Sequence, residues 1–223
     1  MKSTPKIYLV GVEPEGTDHL RPPLADILQK TCLVIGGRRH IDPLRERMDP
    51  ETEFLPITSN IPEIVERLKR FLEEGNSENN ALVLATGDPL YFGIGTPLTK
   101  NLPPESLVVI PATTLVQRAF ALLKEPWDKV RVGSLHSKKE SPEIAPGRWA
   151  FYTGGANGPA EVCSLIFEKK YRIKNMVLLE EIGMEWERVR KFSHVDSGTE
   201  LPKDIKPLNI VVLTIEGAEK HGS

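Results

Sequence analysis

The sequence predicts an α/β fold of two α/β domains, the first built on a parallel, doubly wound sheet. Short apolar runs alternate with helical patterns through the first half of the chain, which is the rhythm of strand–helix–strand units. Seventeen glycines and 19 prolines separate these runs. The 223 residues are enough for two domains of roughly 110 residues each. We place the boundary between residues 112 and 113, which gives an N-terminal domain of residues 1–112 and a C-terminal domain of residues 113–223.

In the first half, five apolar runs have the length of buried parallel strands, at residues 7–11, 32–35, 53–57, 81–85 and 107–110. Apolar residues recur at helical spacing between residues 20 and 28, and more clearly over residues 61–72. Ser59 or Asn60 is placed to cap the second of these helices, and Gly75 is placed to end it. This succession predicts a parallel sheet with helices packed on it.

The second half predicts a mixed sheet. Helices are expected over residues 114–123 and 159–167, the latter beginning at Pro159. Strands are expected over residues 130–135, 149–152, 176–179, 188–192 and 210–213, and a polar loop over residues 138–147.

Charge and composition exclude several classes of protein. Lys and Arg total 29 against 31 Asp and Glu, so the net charge of −2 argues against nucleic-acid binding by bulk charge. The two cysteines, Cys32 and Cys163, lie far apart in apolar stretches, so neither a disulfide framework nor a metal site is expected. No apolar run approaches the about 18 residues of a membrane span, and we expect a cytoplasmic protein.

A first glycine-containing loop, residues 11–16, follows the first predicted strand. A dinucleotide-binding turn needs glycine at its third position, but Glu13 stands there and Glu15 adds a second negative charge. A nicotinamide cofactor is therefore disfavoured, and a plain strand-to-helix turn is the alternative.

A second loop, residues 86–95, follows the buried run at residues 81–85. Gly87, Gly93, Gly95 and Pro89 fix a sharp, closely packed backbone there. Open α/β sheets bind ligands at the carboxyl ends of their strands. We therefore interpret this loop as a ligand-binding loop rather than a simple turn.

These residues resemble the tetrapyrrole methylase family, whose hallmarks are a GxGPG turn after the first strand and a GDP loop after the fourth. The GDP loop is intact as Gly87-Asp88-Pro89, whereas Glu13 replaces a glycine of the first turn. Further segments resemble the precorrin-6Y / cobalt-precorrin-7 C5-methyltransferases, the CbiE type, at residues 36–40, 126–128, 134–136, 180–183 and 187–188. The likeness runs from about residue 6 to residue 214.

The resemblance implies two α/β domains with a cleft between them, a homodimer, and S-adenosylmethionine (SAM) as cofactor. It implies methylation of a corrinoid tetrapyrrole at C5, and a separate polypeptide is expected for the C15-methylating, decarboxylating step. The positions that match the cofactor site of the family are Pro14, Thr86, Gly87, Asp88, Tyr91, Thr114, Leu115, Tyr152 and Thr153.

A tetrapyrrole carries acetate and propionate side chains, so a near-neutral protein must gather positive charge locally to bind it. Arg38, Arg39 and His40, expected on a loop after the second strand, are the candidates for substrate binding. His136 is the candidate for catalysis, and no metal ligand is expected. Two alternatives stay open: a family member with another methyl acceptor, and a non-catalytic member in which Glu13 and Glu15 prevent cofactor binding.

Overall fold

The computed structural model describes residues 5–16, 24–75, 78–135, 142–154 and 158–217. The chain forms two units, Met1–Thr114 and Leu115–Ser223. The sequence-based boundary between residues 112 and 113 stays a prediction of where the functional domains divide. In the described part of the chain, no helix is long and apolar enough to cross a membrane.

Five parallel strands form the sheet of the first unit, in the order β3-β2-β4-β1-β5. They are β1 (Lys6–Val12), β2 (Thr31–Gly36), β3 (Glu53–Pro56), β4 (Asn80–Thr86) and β5 (Leu107–Ile110). The helices of this unit are α1 (Leu24–Gln29), α2 (Arg38–Ile41), α3 (Ile61–Glu74) and α4 (Gly95–Asn101), and 3₁₀ turns cover Asp42–Arg47 and Pro104–Ser106.

Helices cover both faces of this sheet, because alternate residues of each strand point to opposite sides. On β4, Ala81 and Val83 pack with α3 and α4, whereas Leu82 and Leu84 pack with α1 and α2. The sheet is therefore parallel and buried on both faces, as the sequence pattern predicts.

Helix α3 shows how the local sequence sets these elements. Its apolar positions recur every three or four residues and face the core, and Gly75 ends it with a left-handed φ of 69°. Asn60 occupies the N-cap position, but its side chain accepts a hydrogen bond from the Thr58 amide (2.8 Å) instead of capping the helix.

The second unit contains a mixed sheet in the order β6-β7-β10-β8-β9. Strands β6 (Arg131–Ser134) and β7 (Gly147–Thr153) are parallel, whereas β10 (Asn209–Glu216), β8 (Arg172–Glu180) and β9 (Arg188–Val195) join by antiparallel pairing. Helix α5 (Leu115–Leu123) packs on one face and α6 (Pro159–Glu168) on the other. Two units of helices on sheets confirm the predicted α/β fold class.

The structure corrects the sequence interpretation at two places in the first unit. Residues 38–40 begin the short helix α2 instead of lying on a loop, because Ile41 and Leu44 are buried in the core beneath them. Helix α4 was not anticipated from its Gly-Thr-Pro start, and it forms where Leu98 and Leu102 reach the core.

Candidate functional site

The carboxyl end of β4 lies at a topological switch point of the first sheet. The chain leaves β4 towards α4 on one face, whereas the neighbouring strands β1 and β2 continue to α1 and α2 on the opposite face. Connections that diverge in this way open a crevice at the carboxyl ends of the strands, where such sheets bind ligands. The loop after β4 is therefore the natural centre of a binding site.

Three strand ends approach one another closely at this point. A Cβ at Gly11 would overlap the Gly87 carbonyl oxygen and the Ala112 amide nitrogen, so only glycine fits at the end of β1. The Gly87 amide donates to the Val12 carbonyl (2.9 Å), and the Ala112 amide donates to the Gly87 carbonyl (3.2 Å). Gly87 itself has a φ of 71°, which glycine adopts without strain.

Glu13 has a structural partner on the segment after β5. Its Oε1 accepts hydrogen bonds from the Thr113 amide (3.2 Å) and the Thr113 hydroxyl (3.0 Å). A carboxylate that joins these two strand ends explains why an acidic residue stands in the first glycine turn.

The loop after β4 is held by its own backbone and by Asp88. Asp88 Oδ1 accepts from the Leu90 amide (2.8 Å), and the Pro89 carbonyl accepts from the Gly95 amide (2.9 Å). Added Cβ atoms at Gly93 and Gly95 would lie 2.7 and 2.5 Å from the Pro89 oxygen, closer than real Cβ contacts. The two glycines are therefore required for this loop conformation.

Aromatic side chains follow Asp88 on the same loop. Tyr91 and Phe92 contact edge to face with ring centroids 4.8 Å apart, and both are exposed. Phe92 has a φ of 53°, which is rare for a bulky residue and is typical of functional loops.

Arg39 and His40 of α2 contact Thr86 at the end of β4. The Arg39 guanidinium donates through Nη2 to the Thr86 hydroxyl and through Nε to His40 Nε2 (3.2 Å). The Thr86 hydroxyl lies 3.0 Å from the same His40 nitrogen. We call these three residues the Arg39–His40–Thr86 triangle.

His40 is buried, with 3% of its surface exposed, and its Nδ1 has no hydrogen-bond partner among the described residues. Burial, and next the positive charge of Arg39, lower the pKa of His40 to about 4. His40 is therefore neutral at physiological pH and does not present a positive charge to a ligand.

The second unit holds three of the predicted cofactor-contacting residues. Leu115 and Tyr152 pack against the core cluster beside α5. Thr153 is buried, and its hydroxyl bonds to the Asn209 carbonyl (3.1 Å) and to the Asn209 side chain. The Thr153 hydroxyl is thus already engaged within the protein.

A buried ion cluster lies at the end of β8, in the segment at residues 180–183 that resembles the family. Glu180, with no exposed surface, accepts hydrogen bonds from Arg188, Arg190 and the Lys206 amide at 2.8–3.0 Å, and both arginines also contact Asp204. Burial by itself raises the pKa of Glu180, but the hydrogen bonds from Arg188, Lys206 and Arg190 outweigh it and lower the pKa. The cluster is internally neutralised, so we assign it a structural role.

The structure brings together only part of the predicted site. The first unit brings together Arg39, His40, Thr86, Gly87 and Asp88, with Pro14 on the loop after β1 and Tyr91 on the loop after β4. Arg38 is exposed on α2, and Thr114 ends the first unit. His136 lies outside the described residues, and within those ranges no group of His, Cys, Asp and Glu could hold a metal ion.

Comparison with known proteins identifies the family. The model of the Tetrapyrrole (Corrin/Porphyrin) Methylases matches residues 6–194. The chain belongs to this family, which confirms the resemblance drawn from its glycine loops.

Two relatives show where in the family this chain lies. It is 23% identical over 192 residues to the precorrin-6Y C(5,15)-methyltransferase [decarboxylating] of Sinorhizobium sp., a match that covers 83% of this chain and 44% of that protein. It is 26% identical over 185 residues to the cobalt-precorrin-7 C(5)-methyltransferase of Salmonella typhimurium, covering 82% and 88%. The match therefore spans less than half the length of the Sinorhizobium relative.

Solved structures share the fold. The cobalamin biosynthesis precorrin-6Y methylase of Archaeoglobus fulgidus is 25% identical, with a TM-score of 0.65 over 95% of this chain and 99% of that one. The uroporphyrin-III C-methyltransferase of Thermus thermophilus, crystallised with S-adenosylhomocysteine, is 16% identical, with a TM-score of 0.64 over 94% and 92%. The second likeness concerns the fold alone.

Proposed function

We propose that this protein is a SAM-dependent C-methyltransferase that methylates C5 of the corrinoid tetrapyrrole cobalt-precorrin-7 or precorrin-6Y. The observation that carries the proposal is the Gly87-Asp88-Pro89 loop, fixed at the switch point after β4 by glycines that admit no side chain. The family and the named relatives supply the reaction class.

The chemistry of the loop suits the proposed cofactor. One carboxylate oxygen of Asp88 orders the loop through the Leu90 amide, and Oδ2 has no hydrogen-bond partner among the described residues. That oxygen is suited to accept from an ammonium or a ribose hydroxyl, and SAM has both. Pro14, Thr86, Gly87 and Tyr91, with the resemblance-derived Thr114, Leu115, Tyr152 and Thr153, complete the set proposed to contact the cofactor.

When bound, SAM supplies a methyl group on a positively charged sulfur, which is electrophilic without further activation. In the proposed transfer the substrate carbon forms a C–C bond as the C–S bond breaks, S-adenosylhomocysteine leaves, and a proton is lost to solvent or to a base. The task of the protein is to hold the two reactants in line and to exclude water. The rigid loop, residues 86–95, is suited to this positioning, and His136 stays proposed as the candidate for catalysis.

The C5 position is proposed from the way the relatives align. The relative named for C5 methylation alone is matched over 88% of its length, whereas the relative named for both C5 and C15 is matched over 44%. Arg38, exposed on α2, stays proposed to bind a substrate carboxylate. We further propose a cytoplasmic homodimer.

The test is methyl transfer from SAM carrying a ¹³C-labelled methyl group. Incubated with cobalt-precorrin-7 and, in parallel, with precorrin-6Y, the protein should give one labelled methyl carbon at C5 and an equal amount of S-adenosylhomocysteine. Label at another ring carbon, or transfer only to another tetrapyrrole, would support the alternative of a different acceptor. Binding of neither S-adenosylhomocysteine nor tetrapyrrole at millimolar concentration would support a non-catalytic protein.

A further inference from the structure

The Arg39–His40–Thr86 triangle fixes one edge of a guanidinium and leaves another edge available. Nε and Nη2 are engaged by His40 and Thr86, whereas Nη1 has no partner among the described residues. Arg39 as a whole is exposed, and Nη1 is the one guanidinium nitrogen of Arg39 that no described residue engages. A guanidinium held in this way loses little conformational freedom when it binds.

Arg39 also lacks an acidic partner. Within the described ranges no carboxylate forms an ion pair with it, whereas Arg67 pairs with Glu53 and Arg148 pairs with Glu125. Burial lowers the pKa of its guanidinium, and no neighbouring negative charge opposes this effect. A fixed, partly desolvated and unneutralised cation is complementary to an anion.

The hydrogen bonds of the triangle require His40 to act as an acceptor. His40 Nε2 accepts from Arg39 Nε, so the Thr86 hydroxyl, which accepts from Arg39 Nη2, donates its own hydrogen to the same His40 nitrogen. A neutral imidazole with its hydrogen on Nδ1 satisfies this arrangement, as assigned from the hydrogen-bond pattern. A protonated imidazole would place an N–H against two donors.

We propose that Arg39 binds a carboxylate group of a ligand and that His40, as a neutral acceptor, is the positioning residue that aims it. The inference rests on the proposed function, in which both reactants carry the required chemistry: the methionine end of SAM has a carboxylate, and so do the side chains of the tetrapyrrole. Of the three predicted substrate-binding residues, Arg38 and Arg39 then bind carboxylates, whereas His40 positions Arg39 and does not itself contact the substrate.

The experiment compares Arg39→Gln with wild-type protein by titration calorimetry and steady-state kinetics. The calorimetric ligands are S-adenosylhomocysteine and 5′-methylthioadenosine, which lacks the amino-acid carboxylate. If the carboxylate is that of the cofactor, Arg39→Gln weakens S-adenosylhomocysteine binding about 10- to 100-fold and leaves methylthioadenosine binding within about twofold. If it is that of the tetrapyrrole, cofactor binding is unchanged and the KM for tetrapyrrole rises by a similar factor with kcat retained.

His40 is tested with two substitutions of similar size. The amide oxygen of Gln can replace Nε2 as a hydrogen-bond acceptor, whereas the Met side chain cannot. His40→Gln should therefore retain wild-type affinity, and His40→Met should weaken binding about tenfold for the same ligand that Arg39→Gln affects. Arg70→Gln, which removes an exposed arginine of α3, is the matched control for loss of one charge and should bind like wild type. If His40→Met does not fold, His40→Leu, which also offers no acceptor to Arg39 Nε, serves in its place.

The outcomes separate the inference from the function on which it rests. If the wild-type protein is active and Arg39→Gln changes neither ligand binding nor turnover, the inference is overturned and the proposed function stands. Equal effects of His40→Gln and His40→Met overturn the positioning role of His40. Wild-type protein that binds neither ligand nor tetrapyrrole overturns the proposed function and the inference together.

Discussion

Replacing Glu180 by Gln should destabilise the second unit strongly. Oε1 of Glu180 accepts from Arg188 Nη2, Arg190 Nη2 and the Lys206 amide, and Oε2 accepts from Nε of both arginines. A glutamine oxygen can serve only one of these two positions, so its NH₂ group opposes at least two N–H donors. The site has no exposed surface, so solvent does not compensate the lost charge.

The expected cost in free energy of unfolding is about 3–5 kcal/mol, the range for removing one partner of a buried ion pair. That loss corresponds to a fall in Tm of more than about 10 °C for a unit of this size. All three tryptophans lie in the second unit, and Trp149 is buried in its core, so tryptophan fluorescence during urea denaturation reports on this unit.

Glu216→Gln is the matched control, because Glu216 pairs with Arg172 (3.8 Å) and Lys174 (3.3 Å) at the surface. It should cost no more than about 1 kcal/mol. The pKa of Glu180 is lowered in the folded state, so its contribution is complete above its ordinary pKa of 4.5 and is lost as the pH falls towards the folded value. The difference in free energy of unfolding between wild type and Glu180→Gln should therefore become smaller below about pH 4.5. A Glu180→Gln variant whose free energy of unfolding lies within about 1 kcal/mol of wild type at pH 7 would refute the reasoning.

Two further predictions concern the candidate site. Gly95→Ala places a Cβ 2.5 Å from the Pro89 oxygen and should displace the loop, which weakens S-adenosylhomocysteine binding by at least about tenfold in calorimetry. Gly158→Ala is the control: its Cβ would lie 3.5 Å from the nearest atom of Glu161, an ordinary contact, so binding should be unchanged. Equal affinities of the two variants would contradict the role of the loop. The pKa of His40 is lowered to about 4 by folding, so its stabilising contribution is complete above about pH 6.5 and declines as the pH falls from there towards 4. His40→Gln should flatten this part of the stability-against-pH curve, and an unaltered curve would show that His40 is not buried as a neutral group.

The sequence was sufficient for the parts of the fold that depend on local pattern. Apolar runs of four or five residues predicted the parallel strands, and the spacing of apolar residues predicted helix α3, which the structure contains. The glycine-rich loop after β4 was recognisable because the glycines and the proline that determine its backbone conformation lie within the loop itself.

The side-chain partnerships were not predictable, because they join segments distant in sequence. The sequence alone presents Glu13 as an obstacle to a cofactor, yet its partner Thr113 lies 100 residues away. The sequence alone presents His40 as a positive group for binding substrate, yet Thr86, 46 residues away, engages it and burial holds it neutral. Glu180 meets Arg190 only because the antiparallel pairing of β8 and β9 brings the two side chains together.

The most direct test of the central claim is to locate the cofactor site by hydrogen–deuterium exchange with and without S-adenosylhomocysteine. The account predicts slower exchange in peptides covering residues 11–16 and 86–95, where the ends of β1 and β4 meet, and little change in peptides from α3. Binding accompanied by protection elsewhere, with both of these segments unchanged, would contradict the assignment of the loop after β4 as the methyl-donor site.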